Sequence, residues 1–343
     1  MFRDKIPASM PRIAINGFGR IGRTVFKVGW ERKRFDVVAI NDLTDAATLA
    51  YLLKHDTNYG TWNVDVSHTD DAIIVGGKTI KLFAQKDPAQ LPWKDLEIDI
   101  VVESTGLFVT EEKASVHLAA GAKRVVISAP GKGGNVPTFV MGVNEEGLNV
   151  EGKKRKVMSN ASCTTNCVAP VSAIIEEAFG IEKAMMTTVH GYTASQALVD
   201  SPKKDLREGR AAAENIVPTS TGAAIAVALT IPSLKGKFDG LSVRVPVPTV
   251  SLSDMTFLLK KNVTIEAVND AIIAASKTPR FQGLVGVTNE PLVSSDFIGD
   301  PHSATVDLLL TNVVDGNLVK VVAWYDNEWG YSHSLVELCL KLT

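Results

Sequence analysis

Arg12-Ile-Ala-Ile-Asn-Gly-Phe-Gly-Arg-Ile-Gly-Arg23 decides how the first half of the chain folds. Ile13-Ala14-Ile15 is a short apolar run of strand character. Gly17, Gly19 and Gly22 then fall on the spacing G-x-G-x-x-G, and Ile21, Val25 and Val28 share one helical face beyond it. Glycines so placed allow a tight turn, close approach of a pyrophosphate and close helix–strand packing, with the phosphates at the helix N-terminus. A second apolar run, Val37-Val38-Ala39-Ile40, ends in Asn41-Asp42, and Asp42 stands 20 residues beyond Gly22. An acid at that distance hydrogen-bonds an adenosine ribose 2′-OH and repels a 2′-phosphate, so the pattern predicts an NAD site rather than an NADP site.

Strand and helix signals continue outward from this unit. Ile73-Ile74-Val75 and Thr79–Phe83 read as a hairpin about Gly76-Gly77-Lys78, and Ile98–Glu103 as a strand running into Ser104-Thr105-Gly106. Glu111 to Ala120 has helical character and stops at Gly121, and Val125-Val126-Ile127 is a strand ending in Ser128. Loops at strand C-ends line the nucleotide crevice of a doubly wound sheet, which nominates Thr105, Gly106 and Ser128.

A different pattern begins at Ser159-Asn-Ala-Ser-Cys-Thr-Thr-Asn-Cys167. It leads into a helix with Val171, Ile174, Ile175, Ala178 and Phe179 at helical spacing and Gly180 as its stop. Cys163 is thereby placed within a turn of a helix N-terminus, where unpaired N–H groups and the dipole favour a thiolate. Strands follow at Ala184–Val189, Leu241–Val247, Leu252–Leu259, Ala304–Leu310 and Leu318–Trp324, with helices from Gly222 and over Thr264–Ser276. Several strands in succession around a few helices predict an α+β layer with helices on one face and a mainly antiparallel sheet. Leu335, Val336, Leu338, Cys339 and Leu342 form a terminal apolar helical face. The fold class is α/β, with a doubly wound domain over 1–158 joined by the C-terminal helix (about 326–343) and a second domain over 159–325.

Composition narrows the class further. A chain of 343 residues is long enough for two cores, and 45% hydrophobic with 22% charged residues is ordinary for a soluble globular protein. A net charge of −2 gives no reason to expect nucleic acid or an anionic membrane as the main partner. No apolar run approaches a membrane span, residues 1–10 lack a signal-peptide core, and three cysteines make no disulfide framework; a cytoplasmic protein is expected. Cys163 and Cys167 have no second pair, so no metal site is expected. A cysteine nucleophile needs a base, and of six histidines only His190 ends a strand that runs into a polar loop. His55, His68, His117, His302 and His333 read as surface or structural residues.

Asn16–Arg23, Ser159–Asn166, His190-Gly-Tyr-Thr193, Pro218–Ala224, Val243-Arg-Val-Pro246 and Trp324–Tyr331 occur in order, and from Arg12 to its end the chain resembles phosphorylating glyceraldehyde-3-phosphate dehydrogenase. The resemblance implies that Cys163 attacks an aldehyde to give a hemithioacetal, that His190 is its base, and that an acyl thioester is then taken by inorganic phosphate. It implies Thr193 and Arg244 at the phosphate of D-glyceraldehyde 3-phosphate, and Ser162, Thr164, Thr221 and Gly222, with Arg210, at the incoming phosphate. For NAD it implies Asn16, Gly17, Gly19, Gly22 and Asp42, with Arg20 and Ile21 at the pyrophosphate. It adds Lys86 near the adenine, Ser128, and Asn327 on the nicotinamide amide. Leu43 and Pro202 match the NAD-using branch, and the long loop of Ser195–Thr221 implies a homotetramer.

Ile225 departs from the pattern, standing where a lysine is common, and the first ten residues are expected to be a loose tail. Erythrose-4-phosphate dehydrogenase is the nearest rival, opposed by Thr193 and Thr221-Gly222. A cysteine hydrolase would need no dinucleotide fold. A non-catalytic NAD-binding protein would need neither Cys163 nor His190.

Overall fold

The computed structural model describes residues 10–149 and 155–342; apart from Met10, the expected N-terminal tail lies outside the described residues. The described residues form two compact units. One takes in residues 10–139, those described within 145–161, and 335–342; the other takes in Val140–Asn144 and Ser162–Ser334.

The first unit begins with β1 (Arg12–Asn16), α1 (Arg20–Arg32), β2 (Asp36–Asn41) and α2 (Ala46–Lys54). A small ladder, β3 (His55–Asp56) with β4 (Gly60–Thr61), precedes β5 (Val66–His68), β6 (Ala72–Val75) and β7 (Lys78–Phe83). Then come β8 (Ile100–Glu103), the short helices α3 (Glu111–Ala114) and α4 (Val116–Ala119), β9 (Arg124–Ile127) and β10 (Val157–Ser159). The sheet order is β10-β9-β8-β1-β2-β7-β6-β5, parallel from β10 to β7 and antiparallel over β7-β6-β5. Ile13, Ile15, Ile40, Val101 and Val102 are wholly buried, as the continuous apolar runs of a two-faced parallel sheet require. The helix expected over Glu111–Ala120 is broken at Ser115, whose hydroxyl turns back to the Glu111 carbonyl (2.6 Å).

The second unit opens with α5 (Cys163–Phe179), then β11 (Ile181–Gly191), β12 (Val217–Ser220), α6 (Ala223–Thr230) and β13 (Phe238–Val245). It continues through β14 (Ser251–Leu259), α7 (Ile265–Ser276), β15 (Val285–Thr288), β16 (Ala304–Asp307), β17 (Asn312–Val314) and β18 (Leu318–Tyr325). The last helix, α8 (Trp329–Lys341), begins in this unit and finishes in the first. The sheet order is β12-β13-β11-β14-β18-β16-β15, with β17 also on β18. Two pairings, β11·β13 and β15·β16, are parallel and the rest antiparallel. Along β14 alternate residues are buried, among them Met255, Phe257 and Leu259, beneath α5 and its neighbours α6 and α7. The mainly antiparallel layer with helices on one face agrees with the sequence pattern.

Candidate active site

In the first unit the chain turns from β1 into α1 at Gly17, which holds φ at 90°. A Cβ there would lie 2.7 Å from the Thr105 backbone nitrogen, and one at Gly22 would collide with the Gly17 carbonyl. A Cβ at Gly19, the N-cap of α1, would meet nothing within 4 Å. That open space over the helix start is what a pyrophosphate needs. Beside it lies a cavity of about 340 Å³ lined by Asn16, Gly17, Gly19, Asp42, Leu43, Lys86 and Thr105, among others.

Asp42 secures the glycine turn as well as lining this cavity. Its Oδ2 accepts from the Phe18 N–H (2.7 Å) and its Oδ1 from the Thr44 N–H (3.0 Å). A carboxylate has about four acceptor positions, so capacity remains for a ribose hydroxyl. Arg20, Ile21, Gly22, Gly106 and Ser128 are not among the lining residues. The Arg20 guanidinium is drawn to Asp56 (2.6 Å).

Beneath the turn is a buried polar network that the sequence reading missed. The Trp93 indole N–H donates to His117 Nδ1 (3.1 Å), so the imidazole carries its proton on Nε2, 3.0 Å from Glu103 Oε2. Glu103 also accepts from the Asn16 amide and from the Thr105 N–H (2.9 Å). Asn41 Nδ2 in turn donates to Asn16 Oδ1 (2.7 Å). His117 sits within this network, but the signal that would place it under Asn16 is a contact of α4 with the ends of β1 and β8.

In the second unit Ser162 caps α5, its hydroxyl accepting from the Thr165 N–H (3.0 Å), and Cys163 is the first residue of the helix. The Cys163 Sγ lies 3.4 Å from His190 Nε2. Parallel pairing of β11 with β13 sets His190 opposite Arg244, whose Nη1 is 2.6 Å from His190 Nδ1. The same Nδ1 is 2.6 Å from the Gly191 carbonyl oxygen. Nδ1 thus faces a donor-only guanidinium and an acceptor-only carbonyl, and the tautomer with its N–H toward the carbonyl is the one that leaves the Nε2 lone pair facing the sulfur.

Burial first, and the Arg244 cation second, pull the His190 pKa down to about 3, against the Gly191 carbonyl. Burial likewise pushes the Cys163 thiol up, opposed by Arg244 and by the amide and hydroxyl of Thr164. The dipole argument had favoured a thiolate; enclosure of the sulfur works against an isolated one. Sulfur and imidazole are thus both held toward their neutral forms, thiol and free base.

The remaining residues fall around this pair unevenly. The Thr164 hydroxyl is turned inward to Tyr325 OH (2.9 Å), which also meets Thr188 Oγ1 (2.7 Å); Tyr325 is a buried residue the sequence reading did not single out. Thr193 is half-buried with its hydroxyl on Ser195 (3.0 Å). Thr221 and Gly222 lead into α6, with Thr221 Oγ1 accepting from the Ala223 N–H (3.2 Å). Arg210 is exposed and paired with Asp200 (2.8 Å). Asn327 is buried, its Oδ1 held by the Ser251 hydroxyl (3.0 Å). Ile225 is exposed on α6. Among the described residues no group of three His, Cys, Asp or Glu side chains could hold a metal ion.

Comparison with known proteins agrees with this arrangement. Residues 11–111 match the family model described as glyceraldehyde 3-phosphate dehydrogenase, NAD binding domain, and residues 162–327 that of the C-terminal domain. The chain is 52% identical over 334 residues to glyceraldehyde-3-phosphate dehydrogenase 1 of Bacillus cereus, covering 97% of this chain and 99% of the relative. It is 52% identical over 327 residues to the Geobacillus stearothermophilus enzyme (95% and 96% covered), and 51% identical over 337 residues to that of Borreliella burgdorferi (96% and 99%). With a cavity that suits NAD, a cysteine at a helix start and these relatives over nearly its whole length, the chain belongs to the glyceraldehyde-3-phosphate dehydrogenase family of NAD-dependent oxidoreductases.

Proposed function

We propose that the chain catalyses the NAD-dependent oxidative phosphorylation of D-glyceraldehyde 3-phosphate to 1,3-bisphosphoglycerate, a step of glycolysis and gluconeogenesis. The observation that carries this reading is the 3.4 Å approach of Cys163 Sγ to His190 Nε2, with Arg244 on the far side of the same ring. Cys163 attacks the aldehyde carbon while Nε2 takes the thiol proton, and the oxyanion is met by the Cys163 N–H at the start of α5. The imidazolium returns that proton to the oxyanion to give the hemithioacetal hydroxyl, and neutral His190 then takes it back as the hydride leaves. NAD, when bound, accepts the hydride from that carbon. A phosphate oxygen attacks the resulting thioester, and collapse of the tetrahedral intermediate expels the Cys163 sulfur with the acyl phosphate as product.

Thr193 and Arg244 hold the substrate's phosphate in this scheme. An anion on Arg244 offsets the cation that depresses His190, so binding of substrate strengthens the base. Ser162, Thr164, Thr221 and Gly222 serve the incoming phosphate, with Arg210 joining them on leaving Asp200. We assign residues 159–325 to catalysis, and 1–158 with the last helix to NAD. Exposed Met185 and Leu241 on the open sheet face, and Leu198, Leu206 and Ile216 in the long loop, support self-association into a homotetramer. We place the protein in the cytoplasm; among the described residues no helix is long and apolar enough to cross a membrane.

An assay of NADH formation tests the activity. Turnover with glyceraldehyde 3-phosphate that requires inorganic phosphate is the expected result. Preference for erythrose 4-phosphate, or turnover indifferent to phosphate, contradicts it.

A further inference from the structure

Beside the catalytic pair lies a strained, buried segment for which the proposed chemistry has no use. Val250 is 1% exposed and holds φ at 69°, a left-handed conformation that a β-branched residue keeps only when its surroundings over-determine it. The next residue, Ser251, is 2% exposed and opens β14. Its hydroxyl accepts from the Gly191 N–H (3.2 Å) and donates to Asn327 Oδ1 (3.0 Å). Gly191 is the residue whose carbonyl receives His190 Nδ1, so one hydroxyl joins the peptide under the imidazole to the Asn327 carboxamide.

The segment is pinned at both ends. The Tyr192 N–H donates to the Val247 carbonyl (3.0 Å), and the Thr249 hydroxyl to Asp326 Oδ1 (3.3 Å). A Cβ on Gly191 would stand 3.0 Å from the Val247 carbonyl oxygen, so the strap and the β11 end are in close contact. Because the Ser251 hydroxyl already accepts from Gly191, its own proton needs an acceptor, and Asn327 Oδ1 supplies it. That fixes which way the carboxamide faces: Oδ1 is turned to Ser251, and Nδ2 keeps its N–H groups for other acceptors.

We propose that Ser251 is a positioning residue for the nicotinamide end of NAD, holding the Asn327 carboxamide so that Nδ2 donates to the nicotinamide carboxamide oxygen. This rests on the assignment of Asn327 to the nicotinamide amide. Loss of the hydroxyl frees the carboxamide to rotate, and an acceptor oxygen then faces the nicotinamide carbonyl. The strain at Val250 sets where β14 begins, and with it the reach of Ser251.

Binding of NAD and of ADP-ribose, which lacks the nicotinamide, is measured by calorimetry on the wild type, Ser251→Ala, Ser251→Thr and Asn327→Ala. Ser251→Ala is expected to weaken NAD about tenfold, the worth of one hydrogen bond in a buried site, and to leave ADP-ribose unchanged. Ser251→Thr, which keeps the hydroxyl, restores most of the NAD affinity, and Ser251→Ala adds nothing further in an Asn327→Ala background. Ser251→Cys, of similar shape and weaker hydrogen bonding, takes the place of the alanine variant should that fail to fold. Selective loss in Asn327→Ala with none in Ser251→Ala or Ser251→Cys overturns the role of Ser251 and leaves Asn327 standing. Equal loss of NAD and ADP-ribose in Ser251→Ala also overturns it, as a purely structural effect. No selective loss in Asn327→Ala overturns the assignment of Asn327, and this proposal with it.

Discussion

Proton sharing between Cys163 and His190 is the smallest unit of the account. Neither charge is stable alone where it sits, since burial opposes both and Arg244 opposes the imidazolium. In the proposed mechanism, transfer over 3.4 Å creates both charges together. His190→Asn is therefore expected to slow alkylation of Cys163 by iodoacetamide at pH 7 by about tenfold or more, the loss of an activated thiolate fraction. It should lower kcat by about 10²–10⁴. An unchanged alkylation rate would remove His190 as the base. Asp42 both holds the Phe18 N–H and lines the cavity beside the glycine turn. Asp42→Ala should reduce kcat/KM for NAD and narrow its preference over NADP; steady-state comparison of the two cofactors checks this.

Elements deliver these residues to their places, and two interactions decide how firmly. Asp56 receives the Arg20 guanidinium at the start of α1. Burial works against the Asp56 carboxylate, but Arg20 and the Asn58 and Tyr59 amides outweigh it and hold its carboxyl below the usual range. A depressed folded pKa contributes stability above the unfolded value and loses it as pH falls through the folded one. Asp56→Asn should thus cost about 1 kcal/mol near pH 7 and progressively less below the unfolded pKa of about 3.9. Urea midpoints against pH test this, and a cost that persists in acid would refute it. His117→Phe leaves the Trp93 N–H unpaired and removes a donor from Glu103. It should cost about 1–3 kcal/mol in the same measurement. The glycine turn, α5 and the β11 end were legible in the sequence because each is set by local chemistry: glycine spacing, an apolar helical period closed by a glycine, an apolar strand run. The Glu103–His117 network, Tyr325 and Ser251 were not, since their partners lie 14 to 161 residues away and only the packing of strands and helices brings them together. Strand ends shifted for a related reason. β11 extends to Ile181–Gly191 because β13 and β14 both pair along it, beyond its apolar stretch.

For the molecule as a whole, one unit carries the dinucleotide turn and the other Cys163 and His190, and exposed Met185 and Leu241 on the open sheet face support the proposed self-association. Light scattering should return four chains per particle; a monomer at micromolar concentration would contradict the homotetramer. The most direct test of the central claim is to trap the acyl-enzyme. Enzyme, NAD and glyceraldehyde 3-phosphate are mixed without inorganic phosphate, quenched in acid and digested for mass spectrometry. The account predicts a phosphoglyceroyl adduct on the peptide bearing Cys163, discharged when phosphate is added before the quench. NADH formation with no adduct, or an adduct on any other residue, would contradict it.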